Sequence, residues 1–271
     1  MLEASDSEIE ALLEAIYTGY HHDFRGYALA SLRRRLGYAM LRLDCNSLAE
    51  LRARLDREPT TFTELLQHLT VQVSDLFRDP RFFLVMREQV VPILRTYPLL
   101  RIWVAGCSTG EELYSLAILL DEEGLLERST LYATDINPHA LRKAEAGIYA
   151  LDRLPAFTEN HRASGGKGSL SRYYTAAYGS AVFDRALRKQ VVFADHSLAT
   201  DSVFAEVQVV CCRNVIIYFD RTLQDRALGL MKESLCRRGF LGLGSRESLQ
   251  FSSQRNAFSS LVSDERWYQR L

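Results

Sequence analysis

Three short stretches of this 271-residue chain place polar residues where an α/β sheet can do chemistry. The first is Gly106-Cys107-Ser108-Thr109-Gly110-Glu111-Glu112, which follows the apolar run RIWVA and opens a stretch of helical spacing, Gly110 to Leu120. A glycine turn between strand and helix lets a ligand approach the backbone at the strand's carboxyl end, where open α/β sheets bind their ligands. The turn lacks the GxGxxG spacing that sets a pyrophosphate on a helix N-terminus, and acidic Glu111 and Glu112 stand at the helix start instead. A cationic ligand suits it better than a diphosphate. The second stretch is LYATD, whose Asp135 lies about 25 residues past the turn, near the offset expected of a carboxylate that binds ribose hydroxyls. Together the two describe an adenosine with a positively charged tail, a description that S-adenosylmethionine meets. The plainer alternative is an ordinary strand-to-helix turn with Asp135 as a helix cap. The third stretch is CCRNVIIYFD, where an apolar strand from Val207 runs into Cys212, Arg213 and Asn214 at its carboxyl end. Polar groups there would face the same crevice, although in isolation Asn214 reads more readily as a helix cap and Tyr218 as a core aromatic.

The elements that must position these residues alternate in type. From Ser7 to about Val90 the pattern is helical, with Leu29, Leu32, Leu36, Met40 and Leu43 recurring at three- and four-residue steps, so residues 1–90 are expected to form a small helical domain. Pro92 and Pro98 break the pattern, and residues 91–271 read as an α/β domain. RIWVAG and Leu131 to Thr134 are expected strands with a helix between them, which implies a parallel pair, and Pro138 to Ala146 opens as a helix. Further strands are expected at Val191 to Ala194, Val207 to Cys212 and Gly239 to Gly244, with Trp267 to Leu271 closing the sheet. Between Leu151 and Gln190, the loop SGGKGS and the aromatic, β-branched run RYYTAAYGSAVF predict a small antiparallel β insertion. The fold class is α/β: a doubly wound sheet with a helical N-terminal domain and a β insertion.

Composition sets bounds on the function. A hydrophobic fraction of 47% can fill one full core, and no apolar run approaches the roughly 20 residues of a membrane helix. The N-terminus MLEASDSEIEALLEAI is acidic and amphipathic rather than signal-like, so no membrane insertion and a cytoplasmic location are expected. Five cysteines without CxxC spacing are read as reduced, and six histidines without HxxxH or HExxH spacing predict no metal. A net charge of −1 gives no reason to expect nucleic acid. From His21 to Arg57, however, eight arginines stand against four acids, and that segment suits an acidic partner.

VSDLFRDPRFF, VAGCSTGEELYS, ATDINPHAL, GIY, ADHSLA, CRNVIIYFD and LGSRESL occur in the order seen in the CheR-type chemotaxis-receptor methyltransferases, and over residues 20–271 the chain resembles that family. The resemblance implies S-adenosylmethionine as methyl donor, S-adenosylhomocysteine as product, and receptor glutamate side chains as acceptors, esterified in sensory adaptation. It implies cofactor contacts from Gln72, Ser74, Arg78, Gly106, Glu112, Asp135, Ser197, Leu198, Cys212 and Arg213, with Asn214 close by. Arg78 and Tyr218 would flank the transferred methyl as catalytic residues, Arg78 holding the incoming carboxylate and Tyr218 orienting a partner. Arg33, Arg34, Arg35 and Arg42 would grip the cytoplasmic helical region of the receptor, Arg35 and Arg42 sharing a face. A monomer is expected, and some relatives use the inserted subdomain to bind a receptor's C-terminal pentapeptide. The chain departs from the family at Gln72 and Ser197, where asparagine is usual, and in LGSRESL, where LGHSESL is usual. Competing readings are a methyltransferase with a different carboxylate acceptor, an S-adenosylmethionine-binding regulatory module without turnover, and, with the wrong glycine spacing, a nicotinamide oxidoreductase.

Overall fold

The computed structural model describes residues 4–262 and 264–271. By its internal contacts the chain falls into two units. The smaller comprises the chain up to Gln72 together with Ser197–Asp201 and Tyr218–Ala227; the larger comprises Val73–His196, Ser202–Ile217 and Leu228–Leu271.

The smaller unit is built on helices α1 (Asp6–Tyr20), α2 (Leu29–Arg42), α3 (Leu48–Arg57) and α4 (Pro59–Leu69). α1 starts with a capping box: the Ser5 side chain accepts from the Glu8 amide while the Glu8 carboxylate takes the Ser5 amide. The three- and four-residue spacing on α2 buries Leu32, Leu36, Ala39 and Met40, and Arg35 with them. A short antiparallel contact joins the entry to α2 with the segment after Ile217. Ala28 N–H donates to Tyr218 O at 2.8 Å, Asp220 N–H donates to Gly26 O at 2.8 Å, and Tyr27 bridges Phe219. Gly26 permits this approach, since a Cβ there would sit 2.9 Å from Leu223 Cβ.

The larger unit contains short helices α5 (Pro80–Val85) and α6 (Val91–Leu94), joined by a π turn, then α7 (Glu111–Glu122), α8 (Pro138–Ala146) and α9 (Leu154–Ala163). Helix α10 (Arg221–Ser234) carries the chain from the smaller unit into the larger. The strands are β1 (Leu100–Ala105), β2 (Ser129–Asp135), β3 (Ile148–Ala150), β4 (Tyr174–Ala177), β5 (Ser180–Phe183), β6 (Val191–Asp195), β7 (Val207–Cys212), β8 (Leu235–Leu243), β9 (Phe258–Val262) and β10 (Trp267–Arg270). Seven of them form one sheet in the order β6-β2-β1-β7-β8-β10-β9, and β3-β5-β4 form a separate antiparallel sheet, the inserted subdomain. β6, β2, β1, β7 and β8 run parallel, with β10 antiparallel to both its neighbours. The order reverses beside β1, so the carboxyl ends of β1, β2 and β7 open on the crevice where such sheets bind ligands.

Three expectations need correction. The stretch 73–90 joins the larger unit rather than a helical domain ending at residue 90, because Phe77, Phe82, Phe83, Met86 and Val90 sink into the core under the sheet. The Phe82 ring stacks on Trp267 at 4.5 Å, and Trp267 Nε1 donates to Phe82 O at 3.0 Å. The Trp267 strand does not close the sheet: it lies inside it, and the edge is β9, a five-residue strand the sequence reading passed over. The insertion begins with β3 at Ile148, before the expected residue 151.

Candidate active site

In the larger unit the glycine turn joins β1 to α7. Gly106 has φ +71°, and a Cβ there would lie 2.6 Å from Val215, so both its conformation and its crowding require glycine. Ser108 follows with φ 51°, unusual for a residue with a side chain, and its N–H donates to Asp135 Oδ2 at 2.8 Å. The other Asp135 oxygen takes the Asn137 amide at 2.9 Å, while the Asn137 side chain caps α8. The cap expected of Asp135 under the plain reading is therefore supplied by Asn137. Burial pushes the Asp135 carboxyl above the ordinary aspartate range against the pull of these amides, and Asp195, its register partner on β6, pushes the same way.

Glu112, in the first turn of α7, accepts from Arg213 Nη1 at 2.9 Å. Burial raises its pKa, with Arg213 opposing. Arg213 itself has a side chain only 1% exposed; its Nη2 donates to Asp79 Oδ2 and to Arg78 O, each at 2.8 Å, and its guanidinium lies 4.1 Å from the Phe82 ring centre. The buried cation is thus neutralised by two acids and fixes the main chain at Arg78. The Arg78 side chain, only partly buried, makes one long contact, Nη1 to Val73 O at 3.5 Å. Ser74 O accepts from Arg153, which also pairs with Asp75 at 2.9 Å and with Glu111 at 2.7 Å and so ties the start of the insertion to this segment. Cys212 is fully buried, with its thiol pKa pushed well up by burial.

Asn214 takes the left-handed conformation at φ 60°. Its reason is Glu247, a carboxylate 3% exposed that sequence reading did not single out. One Glu247 oxygen accepts the amides of Gly244 and Asn214 at 2.6 and 2.9 Å, and the other accepts Val215 N–H at 2.9 Å. These bonds fold the turn after β7. Asp79 and Ser108 were also missed; the signal for each was its place inside a quoted motif, SDLFRD, GCSTGEE or SRESL.

The smaller unit holds the other expected site residues. Tyr218 is half-buried and its ring lies 4.2 Å from the Arg35 guanidinium. Ser197 N–H donates to Asp201 Oδ2 at 2.9 Å, and Leu198 is buried. The buried Nε2 of Gln72 has no hydrogen-bond partner among the described residues. Of the four docking arginines, Arg34 and Arg42 are exposed, Arg42 donating to Tyr38 Oη at 2.8 Å, and Arg33 pairs with Asp6 and Ala4 O. Arg35 is a correction: it is 7% exposed on the apolar side of α2, donates to Leu69 O, and does not share a solvent-facing side with Arg42. Burial lowers its pKa, with Tyr218 opposing.

The donor set suits the expected cofactor. Partly buried acids at Glu112 and Asp135 favour hydroxyls and cationic groups, and the Ser108 hydroxyl is buried without a partner among the described residues. No cluster of His, Cys, Asp or Glu suited to a metal occurs among the described residues, and no helix there is long and apolar enough to cross a membrane.

The sheet order, the glycine turn and the carboxylate ending the neighbouring strand define the class I S-adenosylmethionine-dependent methyltransferase fold. The CheR methyltransferase SAM-binding domain matches residues 72–266, and the CheR methyltransferase all-alpha domain matches residues 7–70. The chain belongs to the CheR methyltransferase family. It is 55% identical over 266 residues to a Pseudomonas putida protein that carries the name methyltransferase Cher3, covering 98% of this chain and 97% of that one. It is 33% identical to chemotaxis protein methyltransferase 2 of Pseudomonas aeruginosa, over 84% of this chain and 83% of that one. With the chemotaxis protein methyltransferase of Salmonella typhimurium it shares 28% identity, over 96% and 87% of the two chains.

Proposed function

We propose that this S-adenosylmethionine-dependent methyltransferase esterifies glutamate side chains on the cytoplasmic helical region of a methyl-accepting chemotaxis-type receptor, acting as a monomer in the cytoplasm. The observation that carries the reading is the match to both CheR domains, with relatives named as chemotaxis methyltransferases over most of their length. The cofactor supplies an electrophilic methyl on a sulfonium. Asp135 accepts from ribose hydroxyls, and Glu112, held against Arg213, sets a negative field for the cationic part of the donor. Gly106, Ser74, Cys212 and Asn214 shape the main chain around it, with Gln72, Ser197 and Leu198 as further contacts. Glutamate is already ionised near neutral pH, so its oxygen needs no general base. Arg78 holds the incoming carboxylate by charge-assisted hydrogen bonds and Tyr218 orients the reacting pair, while exposed Arg34 and Arg42 attract an acidic receptor helix. Rate enhancement then comes from alignment and from exclusion of water.

The test is incubation with methyl-labelled S-adenosylmethionine and cytoplasmic receptor fragments. Label on the receptor that mild base releases as methanol is the expected result. Base-stable label, or none despite cofactor binding, would overturn the carboxylate reading.

A further inference from the structure

We propose that Arg35 is a positioning residue for methyl transfer: together with the Gly26–Ala28 segment it holds Tyr218 in its working orientation. The proposal rests on the reading that Tyr218 serves the transfer. Arg35 is a charge in the wrong place for stability. It is 7% exposed, its Nη1 reaches Leu69 O, and its Nε and Nη2 have no hydrogen-bond partner among the described residues. Among those residues no carboxylate pairs with it either. A buried cation without a counter-ion destabilises a fold, and a methionine would cover the same apolar neighbours without that cost.

What the guanidinium supplies, and methionine would not, is a planar cation lying 4.2 Å over the Tyr218 ring centre and anchored on Leu69 O. The main chain on either side of Tyr218 is pinned independently. Tyr218 O accepts from Ala28, Phe219 bridges Tyr27 with rings 4.9 Å apart, and Asp220 donates to Gly26 O, all inside the smaller unit. Asp220 Oδ1 also accepts Leu223 N–H at 2.8 Å, fixing the start of α10. With the backbone held, the side-chain torsions of Tyr218 are the freedom left, and Arg35 restricts them.

The reaction explains why orientation is the useful contribution. The donor's carbon–sulfur bond breaks as the carbon–oxygen bond of the ester forms, the carboxylate and sulfonium charges cancel, and no proton moves. Tyr218 therefore needs neither to give nor to take a proton. A misaligned ring costs rate rather than substrate affinity.

A double-mutant cycle on the full chain tests this with Arg35→Met, Tyr218→Ala and their combination, reading receptor methylation and cofactor affinity. Arg35→Met is expected to lower kcat roughly 10- to 100-fold while receptor KM and cofactor Kd stay within about twofold. It should have no further effect in the Tyr218→Ala background. Arg35→Lys, which keeps the charge without the planar fork, should fall between and serves for the cycle if Arg35→Met does not fold. Unchanged kcat in Arg35→Met beside a damaged Tyr218→Ala, or losses that simply multiply, would overturn the inference alone. Unchanged transfer in Tyr218→Ala would overturn the reading of Tyr218, and the inference with it.

Discussion

Arg213 and Arg35 are both buried and both lie about 4 Å from an aromatic ring, over Phe82 and Tyr218 respectively, yet their charges are handled in opposite ways. Arg213 is matched by Glu112 and Asp79 and also binds a main-chain carbonyl, so its charge is neutralised although its Nε has no hydrogen-bond partner among the described residues. Among the described residues Arg35 has one carbonyl and a ring face. The difference teaches that burial alone does not give an arginine's role: a neutralised one builds the scaffold, and an unmatched one is retained for what it touches.

That contrast is sharpest in stability. Arg213→Ala strands two acids, one of them only 14% exposed, and is expected to cost about 3–5 kcal/mol in urea unfolding, whereas Arg35→Met should cost no more than about 1 kcal/mol or even stabilise. Equal losses would break the comparison. A second buried charge extends it: Glu247→Gln leaves one carbonyl oxygen where two carboxylate oxygens now bind three backbone amides. About 1–3 kcal/mol should be lost, together with cofactor affinity, as measured by unfolding and calorimetry.

The acids beside Arg213 also make cofactor binding depend on pH. Burial raises Glu112 and Asp135 in the free protein, so each holds its proton above the usual carboxylate range. A cationic ligand and ribose hydroxyl donors favour the ionised forms, so binding should release protons, and affinity should fall as pH drops through the raised values and level off above them. Calorimetry in buffers of different ionisation enthalpy reads the sign; proton uptake would contradict the assignment. The smallest effect on stability belongs to the exposed arginines. Arg34→Glu with Arg42→Glu should change stability by no more than about 0.5 kcal/mol yet slow receptor methylation and weaken its salt dependence.

Much of this was legible in the sequence where local chemistry decides structure. RIWVA followed by a glycine turn, LYATD ending in a carboxylate, and the Pro138 helix start each fold as read. Phe258–Val262 escapes a sequence reading because an edge strand with one buried residue in five carries little apolar signal. Residues 80–90 are helical, as their pattern says, whereas 73–79 are not, and which core the phenylalanines of this stretch enter depends on Trp267, far along the chain. Arg35 was misplaced despite an available signal. It lies three residues after Leu32 and four before Ala39, on the apolar stripe of α2, and the run of three arginines obscured its phase. Glu247 organises main-chain amides from two loops, a long-range role that no spacing announces.

Mapping the methylated atom tests the central claim most directly. Receptor fragment incubated with the wild-type chain and S-adenosylmethionine would be digested and the modified residue located by fragmentation mass spectrometry. The result expected is a methyl ester on glutamates of the helical region, lost when those glutamates are changed to alanine. A methyl on nitrogen, on a small-molecule acid, or on no acceptor despite cofactor binding would contradict it.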